Sequence, residues 1–461
     1  MTPALPRTDR GRLLLVFALA TLVTVFTATV PLLRDWFDLR VYYGSIDTWV
    51  HHGGRIYDYR VPGTSYGFTY PPFAAVAMAP MALLGLHTAI VAALLLNLAA
   101  LAVVLRLLAG PDWRRHGWFG WALLACLLTL FEPLRDTFSF GQVNLLLLAL
   151  VLTDATLLAT GRGRLAGVGI GLAAAVKLTP ALFIGLLLVA RRWRAAAVAT
   201  AVALGATALA AGVDPDASRF YWTEALWDTD RVGHLDYVSN QSVQGVLARL
   251  GEEDRAVWAV VVLLILGVWA VRTRRAAAAG DWTAAFALTG LAACLVSPIT
   301  WVHHLVWLLP SFAVLVRAGR PRAAGALYTV LCTSVVWLWF DDASGVDGFL
   351  GSNTYAWITL GLLLWLPVGQ LRPGLRTGIR STSTTTAAPV PAAPAISPAS
   401  VQRDPCSSGT AAATAGGVVV TGRAGVGGAP SEPTASTFPA DLKPQSSSER
   451  ASSYTADPPP S

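Results

Sequence analysis

The sequence predicts an all-α protein that crosses a membrane many times. Three observations carry that expectation. Of its 461 residues, 54% are hydrophobic and only 13% are charged, too apolar for a soluble chain of this length. Apolar runs of about spanning length recur between residues 13 and 371. The arginines collect in short loops between those runs, where they orient the protein with positive loops inside. The net charge of +7 therefore reads as topology, and a nucleic-acid partner is not expected.

The elements follow in order. Residues 1–12 carry Arg7, Arg10 and Arg12 and form a cytoplasmic N-terminus. The apolar run behind them extends to Leu33 without a small-residue cleavage site, so it reads as an uncleaved first helix. A long polar and aromatic loop, 34–70, is then outside, and Val41 to His52 suits a helix lying flat on the interface. Residues 71–86 hold Pro71, Pro72 and Pro80 and predict a broken or re-entrant helix. Spans at about 88–109, 118–131 and 143–160 follow. The stretch 165–190 begins and ends beside basic loops and is interrupted by Lys177 and Pro180, which predicts two half-helices around a protected cavity. A span at about 195–212 opens a second outer loop, 213–255, and further spans run at about 256–271, 283–299, 302–318, 323–340 and 354–371. The whole is a polytopic membrane domain, 13–371, of about 10–13 transmembrane helices with two larger extracytoplasmic loops. The stretch 372–461, rich in Ser, Thr, Ala, Pro and Gly, reads as a disordered cytoplasmic tail.

With that topology, the out-of-place polar residues reach one face. Asp38, Arg135, Gln142, Asn144, Asn240, His303 and His304 all reach the outer face. A channel would string such groups through its depth; gathering them at one interface points to an active site there. Asp38 follows the first span closely, where a carboxylate can take a proton from a hydroxyl. An ordinary solvated loop acid is the competing reading, and Asp35 and Asp47 stand nearby. Lys177 lies within an apolar segment, an expensive place for a charge, although a lysine can also snorkel to the interface. Arg135 offers a forked set of donors for a phosphate, or pairs with Glu132. Gln142, Asn144, Asn240 and Gln241 can hydrogen-bond a sugar or cap helices. His303 and His304 point in different directions on a helix and make a poor chelating pair. One suits a phosphate or sugar hydroxyl; the other packs. The four cysteines, Cys126, Cys294, Cys332 and Cys406, are too scattered to form a metal pair. No Walker loop, zincin or serine-hydrolase motif occurs, so a sugar donor would have to be lipid-borne.

Six segments carry a resemblance: DLRVYY at 38–43, FTYPP at 68–72, EPLRDTFSFGQVN at 132–144, AVKLTP at 175–180 with RRWR beyond it, NQSVQG at 240–245 and SPITWVHHLVWLLP at 297–310. In this order they resemble glycosyltransferase family 87, membrane enzymes of actinobacteria with the GT-C fold. The resemblance implies α-mannosyl transfer from polyprenyl-monophosphate-mannose to a glycolipid or lipoglycan, and the positive-inside topology puts the expected site on the extracytoplasmic face of the plasma membrane. The resemblance makes the acid of the first outer loop, here Asp38, the catalytic base. Beside that role, Arg40, Tyr70, Arg135, Gln142, Asn144, Lys177, Asn240, Gln241, His303 and His304 are the candidate substrate ligands among the residues themselves. Members of the same family transfer arabinofuranose, and a polyprenyl-sugar flippase is a rival class. The expected chemistry is a single displacement with inversion, needing neither metal nor cofactor.

Overall fold

A backbone that sits in lipid must satisfy its own hydrogen bonds, which favours helices. The computed structural model is built of them. It describes residues 8–29, 35–110, 117–228, 231–252 and 254–369. Among these, β pairing is confined to an isolated antiparallel bridge between Arg60 and Gly67. The expected tail, Cys406, and the basic loop with Arg114 and Arg115 lie outside the described residues.

Among the described residues, four helices are long and apolar enough to cross a membrane: Asp9–Thr27, Leu86–Ala109, Trp193–Val213 and Arg255–Ala278. The pair Gly117–Leu130 and Glu132–Phe140, bent by 75°, can serve as a fifth span. Shorter apolar helices supply the rest, among them Asn144–Ala159, Trp282–Val296 and Thr354–Trp365. The long helices turn large apolar side chains outward, such as Leu95 at 61% and Leu263 at 67% exposure. On a spanning helix those are the positions that lipid tails cover.

The interior is arranged around Trp282–Val296, whose side chains are buried almost without exception, as befits a helix apolar on every side. Small residues let its neighbours close up. Helix Val168–Val176 lies so near Trp193–Val213 that a Cβ on Gly171 would stand 2.5 Å from the Ala199 carbonyl oxygen.

A second apolar core belongs to the two long loops that the sequence places outside. Leu39, Tyr42 and Ile46 of helix Phe37–His51 pack with Tyr57, Phe68 and Tyr70 and with Tyr221. The segments expected to break do so. Residues 71–86 form helix Pro72–Met78 and a tighter turn Ala79–Leu83. Helix Val168–Val176 ends at Lys177, and the chain resumes through Thr179–Ala181 into Leu182–Val189. The breaks and the loop core border one cavity.

Candidate functional site

Asp38 reaches that cavity through an unusual entry to its helix. Asp35 and Trp36 both hold left-handed backbone angles, φ 45° and 55°, a conformation that side chains with a Cβ avoid. The Trp36 N–H donates to the Ser139 carbonyl at 2.9 Å and anchors the turn. Asp38 follows in the first turn of Phe37–His51. Its Oδ2 accepts a 2.6 Å hydrogen bond from Gln142 Nε2. Gly141 permits this approach. It sits at φ +73°, and a Cβ there would lie 2.6 Å from Leu39 Cβ.

From Gln142 the network continues to the lysine. Tyr70 Oη donates to Gln142 Oε1 at 2.8 Å and accepts from Tyr42 Oη at 2.9 Å. Lys177 Nζ lies 3.3 Å from Tyr70 Oη, donates to Asn144 Oδ1 at 3.1 Å and meets His304 Nε2 at 2.8 Å. Lys177 can turn this way because it leaves its helix in an extended conformation, φ −145° and ψ 134°. The Trp301 N–H donates to His304 Nδ1 at 3.1 Å and orients that ring. Asn144 Nδ2 donates to the His303 carbonyl at 3.3 Å. Neither Gln142 nor Asn144 caps a helix; the N-cap of Asn144–Ala159 is Val143.

The cavity holds about 440 Å³ and is lined by Asp38, Tyr70, Gln142, Lys177 and His304 together with an apolar wall of Leu178, Leu182 and Val296. That volume lies within the usual range of small-ligand sites. Burial pushes the Asp38 carboxyl up to about 6, against the Gln142 hydrogen bond and the Lys177 charge, which both pull it down. Asp228 and Arg231 of the second outer loop also face the cavity. Neither stood out in the sequence; the only hint was the acidic and aromatic character of that loop.

A polar network with one carboxylate and one lysine beside an apolar wall suits a substrate that is part sugar phosphate and part lipid. A sequence model of glycosyltransferase family 87 matches residues 68–298. A polyprenol-phosphate-mannose-dependent α-(1-2)-phosphatidylinositol mannoside mannosyltransferase of Mycobacterium tuberculosis is 36% identical over 321 residues, 66% of this chain and 72% of the relative. A polyprenol-phosphate-mannose-dependent α-(1-2)-phosphatidylinositol pentamannoside mannosyltransferase of Mycolicibacterium smegmatis is 35% identical over 337 residues, 70% of this chain and 80% of the relative. The chain belongs to glycosyltransferase family 87. It is a multi-pass membrane glycosyltransferase of the GT-C class. No solved structure matches it.

Several family 87 motif residues lie elsewhere than expected. Arg40 pairs with Asp35 at 3.1 Å, its side chain 40% exposed, because the left-handed turn brings that acid back beside it. Arg135 is aimed away from the cavity. Its Nη2 donates to Ser334 Oγ at 3.0 Å, and its guanidinium lies 5.1 Å from the Phe26 ring centroid. It forms no ion pair with Glu132, which instead accepts from Trp337 Nε1 at 2.6 Å and from Tyr355 Oη. Asn240 and Gln241 are wholly buried and consumed by backbone. Asn240 Oδ1 accepts from the Thr300 N–H, and its Nδ2 donates to the Leu235 and Pro298 carbonyls. Gln241 donates to the Val238 and Ser352 carbonyls and accepts from the Ala356 N–H. These amides clamp the second outer loop to the helix ends rather than face a sugar. His303 packs its ring edge-on against Phe140 and His304. Among the described residues, no three His, Cys, Asp or Glu side chains converge as metal ligands.

Proposed function

We propose that this family 87 enzyme moves mannose from polyprenyl-monophosphate-mannose to the hydroxyl of a phosphatidylinositol-mannoside-type glycolipid, forming an α linkage. The observation that carries this reading is the continuous chain from the Asp38 carboxylate through Gln142 and Tyr70 to Lys177 in one cavity. Asp38 takes the proton of the acceptor hydroxyl. The acceptor oxygen bonds to the anomeric carbon as the bond from that carbon to the phosphate oxygen breaks. Lys177, with His304 beside it, meets the charge that grows on the departing phosphate, an effect strongest where water is excluded. Because a monophosphate leaves with its charge met in this way, the reaction as proposed needs no metal. The apolar wall of Leu178, Leu182 and Val296 is suited to the first isoprene units. Both relatives described above are mannosyltransferases by name, which favours mannose over arabinofuranose and transfer over flipping.

Topology supports an extracytoplasmic site. Asn144 opens the helix that runs to Ala159, and Arg162 and Arg164 follow that helix. A helix of 16 residues is about 24 Å long. The basic turn and the cavity therefore stand near opposite faces of the bilayer, and positive loops stay inside.

The test is Asp38→Asn, checked for membrane insertion and assayed for transfer from a labelled lipid-phosphate donor. Loss of about three orders of magnitude or more is expected for a missing base in a buried site. A variant that retains the wild-type rate removes Asp38 from the role.

A further inference from the structure

The cavity has a second charged wall that the transfer step does not use. Arg231 lines it and is only 7% exposed. Its Nη2 donates to the Tyr57 carbonyl at 3.1 Å, and its guanidinium lies 5.3 Å from the Phe220 ring centroid. Its Nε is buried with no acceptor. Among the described residues no carboxylate forms an ion pair with it. Asp228 and Asp58 attract it from farther away, and Arg60 adds a second positive charge nearby. A buried guanidinium with unfilled donors is costly, and a planar fork of N–H groups matches phosphate oxygens.

Arg231 is set apart from Lys177. Tyr57, whose backbone carbonyl takes the Arg231 hydrogen bond, donates its hydroxyl to the Tyr70 carbonyl at 2.7 Å. The Tyr70 hydroxyl in turn faces Lys177. The two cations line one cavity, joined by a path through two tyrosines and with neither among the charges that act on the other.

We infer that Arg231 binds the phosphodiester of an anionic glycolipid acceptor and holds its headgroup so that a sugar hydroxyl reaches Asp38. The inference rests on the transferase reading above, in which Lys177 already meets the donor phosphate. The donor monophosphate is the other possible source of the anion, and kinetics separate the two.

The experiment uses the full chain, polyprenyl-phosphate-mannose as donor, and two acceptors: a phosphatidylinositol mannoside and an uncharged alkyl α-mannoside. Arg231→Gln is expected to raise KM for the anionic acceptor about tenfold, the loss of one charge-assisted hydrogen bond. KM for the donor and any transfer to the uncharged acceptor stay as in the wild type. Arg231→Lys, which keeps the charge without the fork, recovers part of the loss. A rise in donor KM instead assigns Arg231 to the donor phosphate and overturns the inference. An equal loss with both acceptors, or no change with either, also overturns it. Wild-type protein that transfers to neither acceptor would defeat the transferase reading itself, and this inference with it.

Discussion

Asp38 can accept a proton only as a carboxylate. Its withdrawal from bulk water raises its pKa to about 6, with Gln142 and Lys177 holding back part of the rise. The sign follows directly: below that value the free enzyme holds the group protonated, and above it the base is ready. With a donor phosphate that does not titrate in the same range, kcat/KM should climb about tenfold per pH unit up to about 6 and then level. A profile flat through that interval means another group takes the proton. Asp35 and Asp47 stand close in sequence but not in environment. Asp35 pairs with exposed Arg40, and Asp47 faces His51 and His52. The residue type and its place near a helix end were visible in the sequence. What separates Asp38 from these neighbours is the amide of Gln142, which lies 104 residues away along the chain.

At the scale of elements, the site depends on where helices stop. Lys177 faces the network because Val168–Val176 ends one residue earlier and Pro180 prevents a direct restart. Gly141 terminates Glu132–Phe140 in a left-handed conformation and lets Phe37–His51 come close enough for Gln142 to reach Asp38. Gly141→Ala adds a Cβ 2.6 Å from Leu39 Cβ and forces a conformation that costs alanine about 1–2 kcal/mol. The two helices must then move apart. A displacement of that kind should lower transfer by about a hundredfold, with a lowered Tm in detergent as the structural counterpart. Unchanged activity in that variant means the contact between the two helices does not set the geometry. The interruptions themselves were legible from proline and from a lysine inside an apolar run. The glycine contact was not, because its partner Leu39 belongs to a distant segment.

The whole molecule separates an outer aromatic core from a membrane core, and the cavity lies where they meet. Labelling of intact cells with a membrane-impermeant thiol reagent checks the orientation. Ser65→Cys, in the exposed part of the first outer loop, should react. Gly163→Cys, in the basic turn with no heavy atom within 4 Å of the added Cβ, should react only after lysis. The reverse pattern turns the site to the cytoplasm and removes a lipid-borne donor presented from outside. The buried Glu132, held by Trp337 and Tyr355, ties the bent fifth span to the last helices, and Arg135 beside it bonds Ser334 of the same junction.

Composition, hydrophobic run length and arginine placement were enough to determine an all-α membrane protein and its expected topology, and prolines with a lysine inside an apolar run were enough for the breaks at 71–86 and 165–190. Those are local properties: each depends on whether a short stretch prefers lipid and can continue a helix. Ordered motifs were enough to name the family. Which polar residues meet was decided only in three dimensions. Gln142, Asn144, Asn240 and Gln241 are the same two side-chain types at similar helix or loop ends, yet the first pair faces the lysine and the carboxylate while the second is spent on backbone carbonyls and N–H groups. An amide binds whatever donor or acceptor the fold sets beside it, and that neighbour is fixed by packing between segments far apart in the chain.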